Sequence, residues 1–285
     1  MTFKKYIVIS FLAISLTACM GVKFTYNNLG WVIPWYMDDY LSLNDQQEKS
    51  FDDQLEALLL WHRQNELSDY SDLLHQIVSD LDNQKINDEK LKSYTEKIRI
   101  LYWRLIDKSL ESGTALISSL SEQQVAYTLE SLADNDDDFR EYVADMDLQE
   151  RIKERRKSVT KLFRKWIGRL SKDQKKKVHQ WSNEVETTLG YHVEYVSESR
   201  VFFKQALKER NNQQQTHQSL LKLATHPELL RSKNYNDVIV RNDHLFRELL
   251  LNVLQSLSKK QQRKLHKKLL KYANAFSELS EQDTQ

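Results

Sequence analysis

The amino-acid sequence predicts an all-α protein, an elongated multi-helix bundle containing a long antiparallel helical hairpin. Three observations carry that expectation. Only five glycines and two prolines occur among 285 residues, against ordinary usage of roughly 12% for the pair. Sandwiches, barrels and glycine-rich phosphate loops all need turn residues in greater quantity. Hydrophobic residues make up 40% of the chain and aromatics 10%, enough to build a core, so a disordered chain is excluded. Finally, four segments carry one helix-start signature, and between them apolar residues recur at three- and four-residue steps.

The chain opens with the basic pair Lys4-Lys5, an apolar stretch from Tyr6 to Leu16, and Leu16-Thr17-Ala18-Cys19. A basic start, a short apolar run and a small-residue cleavage site describe a secretory signal peptide. The run is too short to span a bilayer, which needs about 20 apolar residues. The ending LTAC resembles the bacterial lipobox, in which the cysteine is acylated and becomes the first mature residue. Cys19 is the only cysteine, so no internal disulfide can form and the thiol's expected use is lipid attachment. The resemblance implies a triacylated, effectively permanent anchor, and Met20 in place of a retaining aspartate favours the periplasmic face of the outer membrane. The expected division is a signal peptide at 1–18, an anchor and aromatic segment at 19–43, a helical domain at 44–276 and a polar tail at 277–285.

Within the anchor segment, Leu29, Val32, Ile33, Tyr36, Met37 and Tyr40 fall at helical spacing, with Pro34 early enough to be tolerated. Trp31, Trp35, Tyr36 and Tyr40 crowd the same stretch. They could form an interfacial aromatic anchor or a first helix docked into the bundle; the sequence leaves both open.

The repeated signature reads Leu43-Asn44-Asp45-Gln46-Gln47, Leu120-Ser121-Glu122-Gln123-Gln124, Leu170-Ser171-Lys172-Asp173-Gln174 and Leu257-Ser258-Lys259-Lys260-Gln261. Asn or Ser can cap a helix while Gln three residues later reaches back to the cap's amide, a capping box. The preceding leucine is placed for a staple, with an apolar partner only at Val125. Helical stripes fill the intervals: Phe51 to Trp61/His62, Leu73 to Leu81, and Leu91 to Leu110 behind an Asn87 cap. One more runs from Phe139 to Leu170, and another from Val178 to Leu207. The last two, joined at Leu170–Lys172, form the expected long hairpin. Pro227 interrupts the next stretch, and Leu245–Leu257 and Leu265–Phe276 supply terminal helices. Eight to ten helices are expected in all.

Charge is segregated. Residues 37–82 hold 12 acidic and 2 basic residues, residues 151–177 hold 13 basic and 2 acidic, and residues 259–271 hold 7 basic and no acidic ones. Acidic and basic helices could pair across the bundle. Alternatively, the basic runs form a binding face for anionic lipid headgroups or another envelope protein, with Lys157, Arg164, Lys165, Lys172, Lys175, Lys176 and Lys177 projecting outward. Nucleic acid is not an expected partner in the periplasm.

No HExxH, GxSxG, nucleophilic cysteine or phosphate-binding loop is present, so neither catalysis nor a cofactor is expected. His62 and Glu66 lie four apart, and Asp72 and His75 three apart. A bundle metal site wants several Glu and two Glu-x-x-His motifs, so no metal is expected either. His62 reads as a partly buried ring bonded to Glu66 or to backbone, and His192 as a satisfied core histidine.

Tyr26, Asn27, Asn28 and Trp31, together with Trp61, His62, Arg63, Glu66, Leu67 and Tyr70, resemble the pattern of an uncharacterised, domain-of-unknown-function family of helical lipoproteins in Gram-negative bacteria. The likeness extends through RKWIGRLSKDQ at 164–174 and implies an envelope lipoprotein without implying an activity. The Leu-Ser-x-x-Gln segments are also similar to the Leu-Thr-x-x-Gln motif of small periplasmic chaperones and envelope-stress proteins. The expected function is therefore a lipid-anchored, non-catalytic scaffold or binding lipoprotein, with a chaperone or stress factor as the alternative.

Overall fold

The computed structural model describes residues 21–282; Cys19 and the signal segment lie outside the described residues. The described chain is all-α: twelve helices and one 3-10 turn, with no strand. In order they are α1 (Val22–Asn27), α2 (Leu29–Met37), α3 (Asp45–Asn65), α4 (Leu67–Asp82), α5 (Asp88–Ser119), α6 (Glu122–Asp145), α7 (Leu148–Ile167), α8 (Lys172–Glu184), α9 (Leu189–Lys208), α10 (Gln213–Thr225), the 3-10 turn Pro227–Leu229, α11 (Lys233–Gln255) and α12 (Lys259–Ser280). The longest, α5, has 32 residues, roughly 48 Å at a rise of about 1.5 Å, and packs against α3, α10 and α11.

The main core lies where α4, α7, α8, α11 and α12 meet, around Val78, Phe163, Ile167, Val178, Leu249, Val253 and Leu265. A smaller core, Leu120, Val125 and Leu207 with Leu43 packed against it, joins α6 to the end of α9. At the far end of α12, Tyr26 of α1 packs with Leu67 and Leu279. Leu279 is fully buried and α12 continues to Ser280, past the point where the polar tail is expected to begin.

There are more helices than expected because two apolar stripes hide breaks. The Phe139–Leu170 stripe is interrupted at Met146, whose backbone is extended; Asp147 then caps α7 by accepting from the Glu150 amide at 2.8 Å. The Val178–Leu207 stripe stops at Glu184. Arg155 donates to the carbonyls of Ser182 (3.2 Å) and Val185 (2.5 Å), satisfying the end of α8 so the chain can turn. The antiparallel hairpin of α7 and α8 is thus present but short on its second arm. Its turn depends on Gly168, at φ 86° and ψ −152°, a conformation essentially confined to glycine.

All four repeated segments start helices as capping boxes, and they also pair. Each Gln amide oxygen accepts from its own cap amide, which leaves two N–H donors for distant partners. Gln174 and Gln261 donate to each other's amide oxygens at 3.2 and 2.9 Å. Gln174 also donates to the Ser256 carbonyl at 3.2 Å, and Gln261 to the Arg169 carbonyl at 3.0 Å. Gln47 and Gln124 repeat the arrangement, at 3.3 and 2.6 Å with each other, and reach the Ser119 carbonyl at 2.9 Å and the Ser42 carbonyl at 2.6 Å. In every case the accepting carbonyl lies two residues before the partner's cap. The result is one reciprocal clasp built twice, joining α3 to α6 and α8 to α12.

Candidate functional site

Residues from both family-like segments converge where α1, the α3–α4 joint and the end of α12 meet. Glu66 ends α3, and the kink there turns Tyr70 back toward His62. The His62 ring is buried; its Nδ1 lies 2.9 Å from the Tyr26 hydroxyl and its Nε2 lies 3.1 Å from the Tyr70 hydroxyl. The Tyr26 hydroxyl also donates to the Leu59 carbonyl at 3.2 Å. Every group is satisfied when Tyr70 donates to Nε2, Nδ1–H donates to Tyr26, and Tyr26 donates to Leu59. Burial pushes His62 down to about 4 and Tyr26 up to about 12, so both stay neutral at physiological pH.

The ring thus bonds two tyrosine hydroxyls, and neither Glu66 nor backbone, the two expected partners. That buried carboxylate instead receives Arg104 of α5, at 2.8 and 3.1 Å, and Arg104 also reaches Asp69 at 2.5 Å. Arg63 stacks over Tyr26 at 5.4 Å and donates to Asn27 at 3.1 Å. The cluster is a charge-balanced lock that fixes α1 to the bundle, with the Tyr26 and His62 rings buried and Arg104 and Asp69 partly open to solvent. His192 sits in a comparable aromatic setting, edge-on to Phe139 at 5.3 Å, with Tyr235 3.4 Å from its Nδ1; burial lowers its pKa too.

The aromatic segment is only partly docked into the bundle. Tyr26 and Tyr40 are buried, whereas Trp31 is 69% exposed and Phe24 is 48% exposed. Trp31 and Trp35 stack at 6.4 Å on one side of α2. Among the described residues no helix is long and apolar enough to cross a membrane.

The basic run at 151–177 also divides. Arg151 donates to the carbonyls of Val143 (2.6 Å) and Met146 (2.8 Å) at the end of α6, and Arg155 serves α8 in the same way. Lys157 pairs with Glu154 at 3.2 Å. Arg164 and Lys165 close α7, and α12 packs alongside. Lys264 and Lys268 donate to the Arg164 and Lys165 carbonyls at 3.4 and 2.9 Å, and Lys268 lies 5.0 Å from the Trp166 ring. Burial, then the neighbouring charges of Lys165, Lys264 and Lys271, holds the Lys268 ammonium below its ordinary range. Lys172, Lys175, Lys176 and Lys177 are exposed on α8, which the second clasp ties to α12. The two basic runs therefore meet.

The acidic helix α4 packs along α12, yet the ion pairs of the acidic segment run mostly elsewhere. Glu66 and Asp69 take Arg104, Asp80 takes Lys90, Asp53 takes Lys49, and Asp82 reaches α12 through His266. None of these takes a lysine of the basic runs. What sequence reasoning missed is the clasp itself; its signal was the glutamine N–H₂ left without a local partner by each capping box.

No curated protein and no solved structure matches the chain. The model for the family of unknown function DUF6279 matches residues 39–236, which include Trp61, His62, Arg63, Glu66 and Tyr70 and leave out Tyr26, Asn27, Asn28 and Trp31. With most of its length matched, the chain belongs to the DUF6279 family.

Proposed function

We propose that this protein is an envelope lipoprotein, acylated at Cys19 and facing the periplasm from the outer membrane, and that it acts as a non-catalytic scaffold or binding protein. The observation that carries the reading is LTAC closing an eleven-residue apolar run in a chain with one cysteine. The residues just beyond the cysteine support it. Phe24 and Trp31 are exposed within twelve residues of Cys19, a placement that suits an aromatic belt at the lipid–water boundary. The chaperone alternative gains nothing from the Leu-Ser-x-x-Gln segments, since each glutamine side chain is fully engaged in a clasp. Growth with a clickable palmitate analogue should label the wild-type chain and leave Cys19→Ala unlabelled. Label retained by Cys19→Ala would overturn the assignment.

A further inference from the structure

The first turns of α8 and α12, residues 172–177 and 259–264, hold eight basic residues and one acidic residue. The second clasp holds these turns side by side. Lys264 and Lys268 are occupied at the end of α7, but Lys172, Lys175, Lys176, Lys259, Lys260 and Arg263 are exposed. Among the described residues no carboxylate lies within ion-pair distance of these six. A fold needs no such concentration of like charge, because self-repulsion opposes it.

We infer that this surface docks on the anionic headgroups of a phospholipid bilayer. Its chemistry favours that partner over a defined small anion. Five of the six side chains are lysines, strongly hydrated point charges on flexible stems, whereas arginine forks suit a fixed carboxylate or phosphate. Spread over two helices, they match a mobile layer of phosphates in which many weak attractions add together. The surface is also distinct from the aromatic end of the molecule. Lys23, next to Phe24, pairs with Glu278, eighteen residues along α12 from Lys260, or about 27 Å at the helical rise. The inference rests on the envelope reading only for the presence of that bilayer.

The test is lysine labelling of the full-length chain by a membrane-impermeant amine reagent, read by peptide mass spectrometry. The chain is reconstituted on neutral phosphatidylcholine vesicles or on vesicles also containing phosphatidylglycerol. Lys175, Lys176, Lys259 and Lys260 should label several-fold more slowly on the anionic vesicles, relative to Lys49 and Lys108, and the protection should fade at high salt. In a Lys175→Glu/Lys176→Glu/Lys177→Glu variant with unchanged circular dichroism, protection at Lys259 and Lys260 should weaken. Equal relative labelling on both compositions, or equal protection on both, would overturn the inference; equal protection would point to a protein contact. The mass of the peptide containing Cys19, read in the same experiment, reports acylation separately. An unacylated chain with protected lysines would remove the lipoprotein assignment and leave this surface standing.

Discussion

The two glutamine clasps share one hydrogen-bond pattern and differ in what surrounds it. At the first, Asp45 and Glu48 occupy the first turn of α3, and Glu122 that of α6. Negative charge is thereby set against the positive ends of both helix dipoles, the favourable arrangement. Arg210, itself buried, closes this clasp by donating to the Leu120 carbonyl at 2.8 Å and to Glu122 at 2.7 Å. At the second clasp the sign is reversed. The first turn of α12 has no acidic residue and that of α8 has only Asp173, while lysines crowd both. The glutamines are the more deeply enclosed here, with Gln174 1% exposed and Gln261 7% exposed. Hydrogen bonding and packing hold the second junction together against its own electrostatics, while at the first junction the charges help as well.

Truncating the glutamines should separate the junctions most clearly. Gln174→Ala removes the partner of a buried amide and leaves the Ser256 carbonyl and the Ser171 amide unpaired, a loss of about 2–3 kcal/mol. Gln47→Ala leaves a half-buried Gln124 that still holds the Ser42 carbonyl, and should cost about 1–2 kcal/mol. Urea unfolding midpoints at constant slope would measure both. Equal losses would mean that burial does not distinguish the clasps.

How much of the fold could be read from the sequence depends on the range of each interaction. The capping boxes were legible because cap and glutamine lie three residues apart. The pairing of the boxes was not, since it spans 77 and 87 residues and depends on where the helices pack. The break at Asp147 did carry a local signal, Asp147 with Glu150 three residues on, but continuous apolar spacing from Phe139 to Leu170 masked it. The meeting of the basic runs depended on α12 packing along α7, which periodicity cannot specify. The convergence of Tyr26, His62 and Tyr70 needed the kink at Glu66, and a polar residue in mid-stripe does not announce a kink.

A proton supplies a control that the second clasp should not feel, because its amide, hydroxyl and backbone groups do not titrate. His62 is held near 4 in the fold by burial, against about 6.5 unfolded. Between those values the unfolded chain binds the extra proton, so the histidine's contribution to stability is complete above about pH 6.5 and is lost as pH falls toward 4. The slope it adds is at most about 1.4 kcal/mol per pH unit. Measured by urea unfolding at pH 7 and 5, His62→Gln should lose less stability on acidification than the wild type, whereas the Gln174→Ala penalty should stay the same. A Gln174→Ala penalty that changes with pH would tie the clasp to a titrating group absent from this account.

Positive charge at the second junction is kept at the expense of stability, and a single charge reversal there reads that cost. Lys260 is exposed in the first turn of α12, where a carboxylate would favour the helix dipole and relieve repulsion from Lys259 and Lys264. Lys260→Glu should therefore raise stability by about 0.3–1 kcal/mol at low ionic strength, and the gain should shrink as salt is added. The decisive measurement is the urea midpoint of Lys260→Glu against wild type at low and high salt. A midpoint raised at low salt and nearly level with wild type at high salt is the expected result; an unchanged or lowered midpoint at low salt would show that the lysines already have their partners within the fold.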